Sequence, residues 1–313
     1  MIKHLVDIFR SKEVRERIIF TLGIFLIFKL GTTLIVPGVD PSVIQFKDGD
    51  IFNLMNVLGG GSLVNFSVFA MGIGPYITSS IIIQLLSKME ILPKLSELSK
   101  QGEKGRKKLN NATRYLTLLL AAVQGYGTIL LMEQSGLRSI SGDPFTTWNY
   151  IQITLTLVAG TMFVMWLADR ISTKGIGNGI SMMIVAGIVS TIPFQFSEAF
   201  RNFTNVEGTS SMLVNGFLNY GVYVLAYLVF ILFVVFIEKS VRKIPLQQSQ
   251  NAVATGKNMH HLPIKLNPAG VIPVIFASSF MMAIVTIASM FGAENATAQA
   301  IGEIFNMSAK HNG

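Results

Sequence analysis

The sequence predicts an all-α, polytopic helical membrane protein built around an internal repeat. Half of its 313 residues are hydrophobic and only 13% are charged, with a mean hydropathy of +0.53. A soluble chain of this size carries about a quarter charged residues. Several windows also reach the roughly 18 to 20 apolar residues that cross a bilayer. The pattern Gly-x-x-Pro-x-Ile-x-x-Ser occurs twice, as Gly72, Pro75, Ile77 and Ser80 and as Gly270, Pro273, Ile275 and Ser278. Each copy stands at the mouth of an apolar segment, where proline is tolerated in the first helical turn. Matched Gly/Pro interruptions in two parts of a membrane protein point to a repeat, with the pathway at its interface.

Residues 1–17 form a basic amphipathic stretch with Leu5, Val6, Ile8 and Phe9. No small-residue cleavage site precedes the first span, so this reads as a retained cytoplasmic segment. Seven spans follow, at Ile18–Val36, Ile73–Leu92, Tyr115–Met132, Tyr150–Ala168, Ile180–Ile192, Leu213–Ile237 and Val271–Phe291. Pro193 cuts off the fifth, which is short, or lets it continue as a tilted or broken helix. Between the first two spans, an apolar run at Ile51–Leu58 meets Gly59-Gly60-Gly61. It is too short and broken to span. It reads either as a re-entrant segment covered by protein or as an amphipathic helix on the outer surface.

Charge fixes the orientation. Twenty of the 25 Lys and Arg fall in the N-terminus and alternate connections, including Arg106, Lys107, Lys108, Arg242 and Lys243. Lys47, Arg138, Arg201 and Lys310 lie on the other side and Lys29 lies within the first span. The positive-inside rule then makes the N-terminus cytoplasmic and places Gly313 outside. With no cysteine, disulfides, thiolate metal sites and Cys nucleophiles are excluded.

Intramembrane acids mark ion and proton pathways, yet Glu133, Asp169 and Glu238 all sit at span ends. The four histidines lie in cytoplasmic or terminal segments. Lys29 either snorkels or pairs structurally. The interior therefore suits a conduit better than a pump. Ile73 and Ile77 share a helix face at i,i+4, Ile180 and Ile184 repeat this in the fifth span, and Ile272 and Ile275 do so at i,i+3. Such isoleucines are ordinary packing or lipid-facing residues, or a constriction that seals a pore by dewetting. Behind them, Thr78, Ser79, Ser80, Gln84, Ser278 and Ser279 are either plain packing residues or a seam of weak interhelical bonds, about 0.6 kcal/mol each. The run Gly175-Ile176-Gly177-Asn178-Gly179 has no preceding strand or Lys-hydroxyl ending, so it reads as a tight turn rather than a phosphate cradle.

Five ordered blocks then resemble the SecY family, whose members form the central channel of the Sec protein translocase. Residues Phe69 to Leu86 (FAMGIGPYITSSIIIQLL) resemble its second span, and QGEKGRKK at 101–108 with Thr113-Arg114-Tyr115 resembles the loop that follows. GTMFVMWL at 160–167 resembles the fourth span, GIGNGIS at 175–181 the start of the fifth, and HLPIK at 261–265 with NPAGVIP at 267–273 the opening of the seventh. The resemblance covers essentially the whole chain.

The resemblance implies a channel of two inverted five-span halves, here residues 18–200 and a partial second half at 201–313. It implies a pore ring of Ile73, Ile77, Ile184 and Ile275, with Ile180 and Ile272 as neighbours. The plug corresponds to residues 52–66, with Phe52, Leu54, Met55, Val57, Leu58, Gly59, Gly60 and Gly61, which favours the re-entrant reading. The hydroxyl set with Gln84 becomes the lateral gate, and Arg106, Lys107, Lys108, Arg242 and Lys243 become docking positions. Implied partners are SecE, SecG, the SecA ATPase, the ribosome and signal-bearing preproteins in the cell membrane. Ribosomal RNA is the one nucleic-acid contact allowed, and no cofactor, metal or catalysis is implied. Ala168-Asp169-Arg170 departs from the family's Gly-Glu-Gln, and Met259-His260 from a small hydroxylated pair. The chain also stops where three further spans are expected, which reads as a fragment or a short form. The competing function is a secondary transporter for a small solute, which the acid-free interior disfavours. An intramembrane hydrolase would need a His-Glu-x-x-His motif or a His within a span, and neither is present.

Overall fold

The computed structural model of the chain describes residues 11–41, 56–89, 93–134, 136–140, 144–204, 210–245, 261–268 and 270–290. Eight helices run through them: α1 (Lys12–Thr33), α2 (Gly74–Lys88), α3 (Pro93–Lys100), α4 (Gly102–Gln134), α5 (Thr147–Lys174), α6 (Gly179–Thr204), α7 (Ser210–Lys239) and α8 (Ile272–Ser289). Seven of them coincide with the predicted spans, and α3 is a short addition. By length and apolarity four could cross a membrane unaided: α4, α5, α6 and α7. At 1.5 Å per residue α5 alone is about 42 Å long, well beyond a hydrocarbon core of about 30 Å. The protein is a multi-pass membrane protein.

Two short antiparallel pairs supplement the helices. β1 (Val39–Asp40) pairs with β2 (Arg138–Ser139), and β3 (Val241–Pro245) pairs with β4 (His261–Lys265). The second pair lies in the connection ahead of α8, where the sequence reading anticipated only a loop.

One further expectation is corrected and one alternative is settled. The basic stretch read as a loop from Gln101 is helical from Gly102 onward, so Lys104, Arg106, Lys107, Lys108 and Arg114 ride on α4. Its Glu103–Lys107 ion pair at i,i+4 spans 3.3 Å, a spacing that supports a helix even where polarity is high. Of the two readings of the fifth span, the structure takes the continuing one, since α6 runs through Pro193 to Thr204. Proline removes one helical hydrogen bond, and a transmembrane helix tolerates this when other donors reach the freed turn.

The chain divides into two compact units, one of residues 1–192 with 276–313 and one of Pro193–Ile275. In the first, α2 packs on α3 and α4, α4 on α5, and α5 on α1. Its core has two clusters, one around Phe66, Ile129, Met132, Leu137 and Leu157 and one around Ile24, Phe28, Phe69, Val164, Leu167 and Ile171. Stacked rings run from Phe28 to Phe69, Phe163 and Trp166, with centroids 5.6 to 6.0 Å apart, and the Arg170 guanidinium lies 5.1 Å over Trp166. In the second unit, Phe196 and Phe200 meet Tyr227 and Tyr220 of α7 edge-on, each at 5.2 Å. None of the most apolar 18-residue stretch of α7 is buried within the chain. A helix apolar on all sides with no protein cover suits lipid.

Candidate functional site

The two copies of the repeated motif have the same local structure. Gly72 and Gly270 are both left-handed, with φ of +50° and +60°. A helix begins two residues after each glycine, and Pro75 and Pro273 occupy its second position. Only glycine takes that φ without strain, and proline fits where no helical N–H is needed. The spacing thus encodes one device twice: a chain reversal followed at once by a helix.

Ahead of the first copy, residues 56–73 run through the interior of the larger unit. Asn56 organises them, its Oδ1 accepting from the N–H groups of Leu63 and Val64 at 3.2 and 3.0 Å. The chain then turns on Gly60 and Gly61, whose φ values are +74° and +85°. Val36 N–H donates to the Phe66 carbonyl at 3.1 Å, and Val68 N–H donates to the Leu34 carbonyl at 2.8 Å, tying the segment to the end of α1. Leu63, Phe66 and Ser67 are buried, so an amphipathic helix on the surface does not describe these residues.

Four helices receive this segment, each at a glycine. An added Cβ at Gly31 of α1 would strike the Phe69 ring, and one at Gly160 of α5 would strike the Val68 carbonyl. One at Gly187 of α6 would strike the Leu58 carbonyl, and one at Gly125 of α4 would lie 3.3 Å from Met71 Sδ. The irregular backbone is therefore covered by protein, as burial at membrane depth requires.

Beside the segment lies a cavity of about 50 Å³. At about 10–15 Å³ per water it holds only a few solvent molecules. Leu58, Gly59, Ile73, Ile77 and Ile184 supply apolar walls, while Thr78, Gln124, Thr128 and Ser279 supply polar atoms. Ser279 Oγ has no hydrogen-bond partner among the described residues, which leaves it free to hold water.

Of the six isoleucines singled out in the sequence, three converge here. Ile180 instead packs against the cluster of Ile24 and Phe28. Ile275 is buried in α8, and Ile272 is that helix's first residue. Among the gate candidates, Thr78 and Ser79 are buried and donate to the Gly74 and Pro75 carbonyls at 3.2 and 2.8 Å. Gln84 donates to Ser80 Oγ at 3.0 Å, and Ser278 and Ser279 are buried on α8. Val57, Leu58, Gly59, Gly60 and Gly61 fall in the buried segment, while Phe52, Leu54 and Met55 lie outside the described residues. Arg106, Lys107 and Lys108 are exposed on α4, and Arg242 and Lys243 are exposed on β3.

The sequence reading missed the α4 side of this site. Gln124 and Thr128 reach the cavity, and a Cβ on Gly127 would meet both Cγ2 and the carbonyl of Thr286 at 2.5 Å. The signal was the small-residue spacing Gly125-Tyr126-Gly127-Thr128, which permits close helix approach. One sequence departure also has a partner in the structure. Asp169 pairs with Arg114, an ion pair that joins α5 to α4.

A family model described as SecY matches residues 67–310. Protein translocase subunit SecY of Bacillus subtilis (strain 168) is 42% identical over 310 residues, 95% of this chain and 69% of that protein. Its counterpart in Streptococcus sanguinis (strain SK36) is 43% identical over 284 residues, 90% of this chain and 64% of that one. Among solved structures, a protein-conducting channel superposes with a TM-score of 0.61 at 18% identity, over 89% of this chain and 60% of that chain. Sec61 in the canine ribosome–channel complex from the endoplasmic reticulum gives the same values. The chain thus spans about two thirds of the length of the relatives it matches.

Proposed function

The chain belongs to the SecY family, and on that premise we propose that it contributes to a passive channel for unfolded polypeptides. In this reading it passes preproteins across the cytoplasmic membrane and releases apolar segments sideways into lipid. The observation that carries it is residues 56–73, seated against four helices beside a narrow cavity walled by Ile73, Ile77 and Ile184. A narrow apolar constriction excludes ions by dewetting, and a removable segment gives it a closed state.

The segment around residues 52–66 serves as plug, and the three isoleucines belong to the seal. The two halves divide at about residue 200, and the seam of α2 and α4 facing Ser278 and Ser279 acts as the lateral gate. SecE and SecG accompany the channel. SecA or a ribosome docks on the cytoplasmic side, where the N-terminus lies, through Arg106, Lys107, Lys108, Arg242 and Lys243. The chain catalyses no covalent step, and the docked partner supplies the energy. The transporter alternative finds no support in the family assignment.

Planar-bilayer conductance tests the reading. The chain, reconstituted with its partner subunits, should leak ions once residues 52–66 are deleted. A conductance unchanged by that deletion would overturn the conduit, since a transporter has no plug to lose.

A further inference from the structure

Lys29 is a charge placed within the first predicted span, four residues before the end of α1. Its neighbours on the exposed side of the helix are Leu22, Leu26 and Leu30. An ammonium in such surroundings is costly unless donors find acceptors. No acidic side chain pairs with it among the described residues. Instead Nζ donates to two main-chain carbonyls, Gly60 at 3.5 Å and Ser190 at 3.4 Å.

Both acceptors lie at irregular points of the backbone. Gly60 holds φ at +74°, and a Cβ there would lie 2.7 Å from Ser190 Oγ, so only glycine brings its carbonyl to this point. Ser190 sits in the α6 turn just ahead of Pro193, whose missing N–H leaves the neighbouring Val189 carbonyl without its i+4 donor. On the same turn, Gly187 lies so close to the segment that an added Cβ would strike the Leu58 carbonyl. The lysine therefore bridges α1, α6 and the turn of the buried segment with one cation.

We propose that Lys29 is the clasp that seats the Gly59–Gly61 turn, and so sets how readily residues 56–73 leave their place. When the segment departs, the ammonium loses the Gly60 carbonyl and keeps only Ser190. The attraction of the ammonium for the Gly60 carbonyl, across 3.5 Å, thus favours the seated state alone. Lys29 acts as a positioning residue. Its role as a gating element rests on the conduit reading, whereas the seating itself can be measured without any conduction.

The chain contains no cysteine, so one introduced thiol is unique. Ser62 is fully buried in the segment and its Oγ has no partner among the described residues, so Ser62→Cys breaks no hydrogen bond. The full chain carrying S62C is incorporated into sealed vesicles and treated with a membrane-impermeant maleimide. Adding Lys29→Met should raise the labelling rate roughly tenfold, because protection reports the population of the opened segment. Lys29→Arg keeps a donor and should return the rate to within about twofold of the parent. A control thiol at Thr117→Cys, fully buried in α4, should stay protected throughout. Unchanged labelling in Lys29→Met overturns the clasp, as does equal exposure of the Thr117 control, which would make the lysine a support for the whole fold. Failure of the conductance test with protection still dependent on Lys29 would sink the conduit reading and leave the clasp standing.

Discussion

Single side chains form the walls of the cavity. Ile77 is 6% exposed and projects from the first turn of α2 into a space that holds only a few waters. Ile77→Asn would bring an amide that must recruit solvent or lose hydrogen bonds. Leak conductance should therefore rise, and discrimination of signal sequences should relax; equal conductance in both proteins would remove Ile77 from the seal. The receiving glycines make a second demand at this scale. At Gly160 an added Cβ meets a main-chain carbonyl that cannot swing aside. Gly160→Ala should cost about 1–3 kcal/mol, the range seen for overpacking. It would register as a lower thermal midpoint in detergent. Gly23→Ala is the matched comparison, since nothing lies within 4 Å of its added methyl. That midpoint should hold or rise, and a drop equal to that of Gly160→Ala would show that steric fit is not the cause. None of these contacts was legible in the sequence. Spacing reveals that Gly160 lies on a helix, but not that a buried carbonyl faces it.

At the level of elements, the apolar windows located seven helices, because hydropathy is a local property of the chain. Their ends were less legible. α4 begins at Gly102, well before the apolar run, because amphipathic turns with ion pairs extend it beyond the bilayer. The hairpin of β3 and β4 escaped notice because Val241-Arg242-Lys243-Ile244-Pro245 is too short and charged to show alternation. The repeated motif predicted two equivalent helix starts, and the left-handed Gly72 and Gly270 explain why the spacing recurs. The packing of α4 on α8 could not be read, since it depends on which faces meet. Gly127 stands there against Thr286, whose methyl and carbonyl both crowd the glycine. Gly127→Ala should push α8 away from α4 and raise leak conductance. Thr286→Ala removes only the methyl, so the double variant should recover part of the seal. Full recovery would show that the carbonyl contact is unimportant, and no change in either would remove this seam from the gate.

On the scale of the whole molecule, the charge asymmetry read from the sequence leaves basic residues open on the surface. Lys239, Arg242, Lys243 and Lys265 are exposed around the β3–β4 hairpin, where antiparallel pairing sets Arg242 opposite Ile264 and Lys243 opposite Pro263. Adjacent residues of a strand point to opposite faces, so these two cations cannot both address one flat surface. Reversing both to Glu should weaken binding of SecA or a ribosome. The loss should be largest at low ionic strength, because exposed charges are screened beyond about 10 Å at 0.1 M salt. The single reversals are more telling. A partner that grips one face of the hairpin should respond strongly to either Arg242→Glu or Lys243→Glu and weakly to the other. A partner that encloses the hairpin should respond to both. Equilibrium binding at two salt concentrations separates these cases. If all three variants bind like the parent at low salt, the hairpin charges do not dock a partner, and the exposed Arg106, Lys107 and Lys108 of α4 become the surface to test.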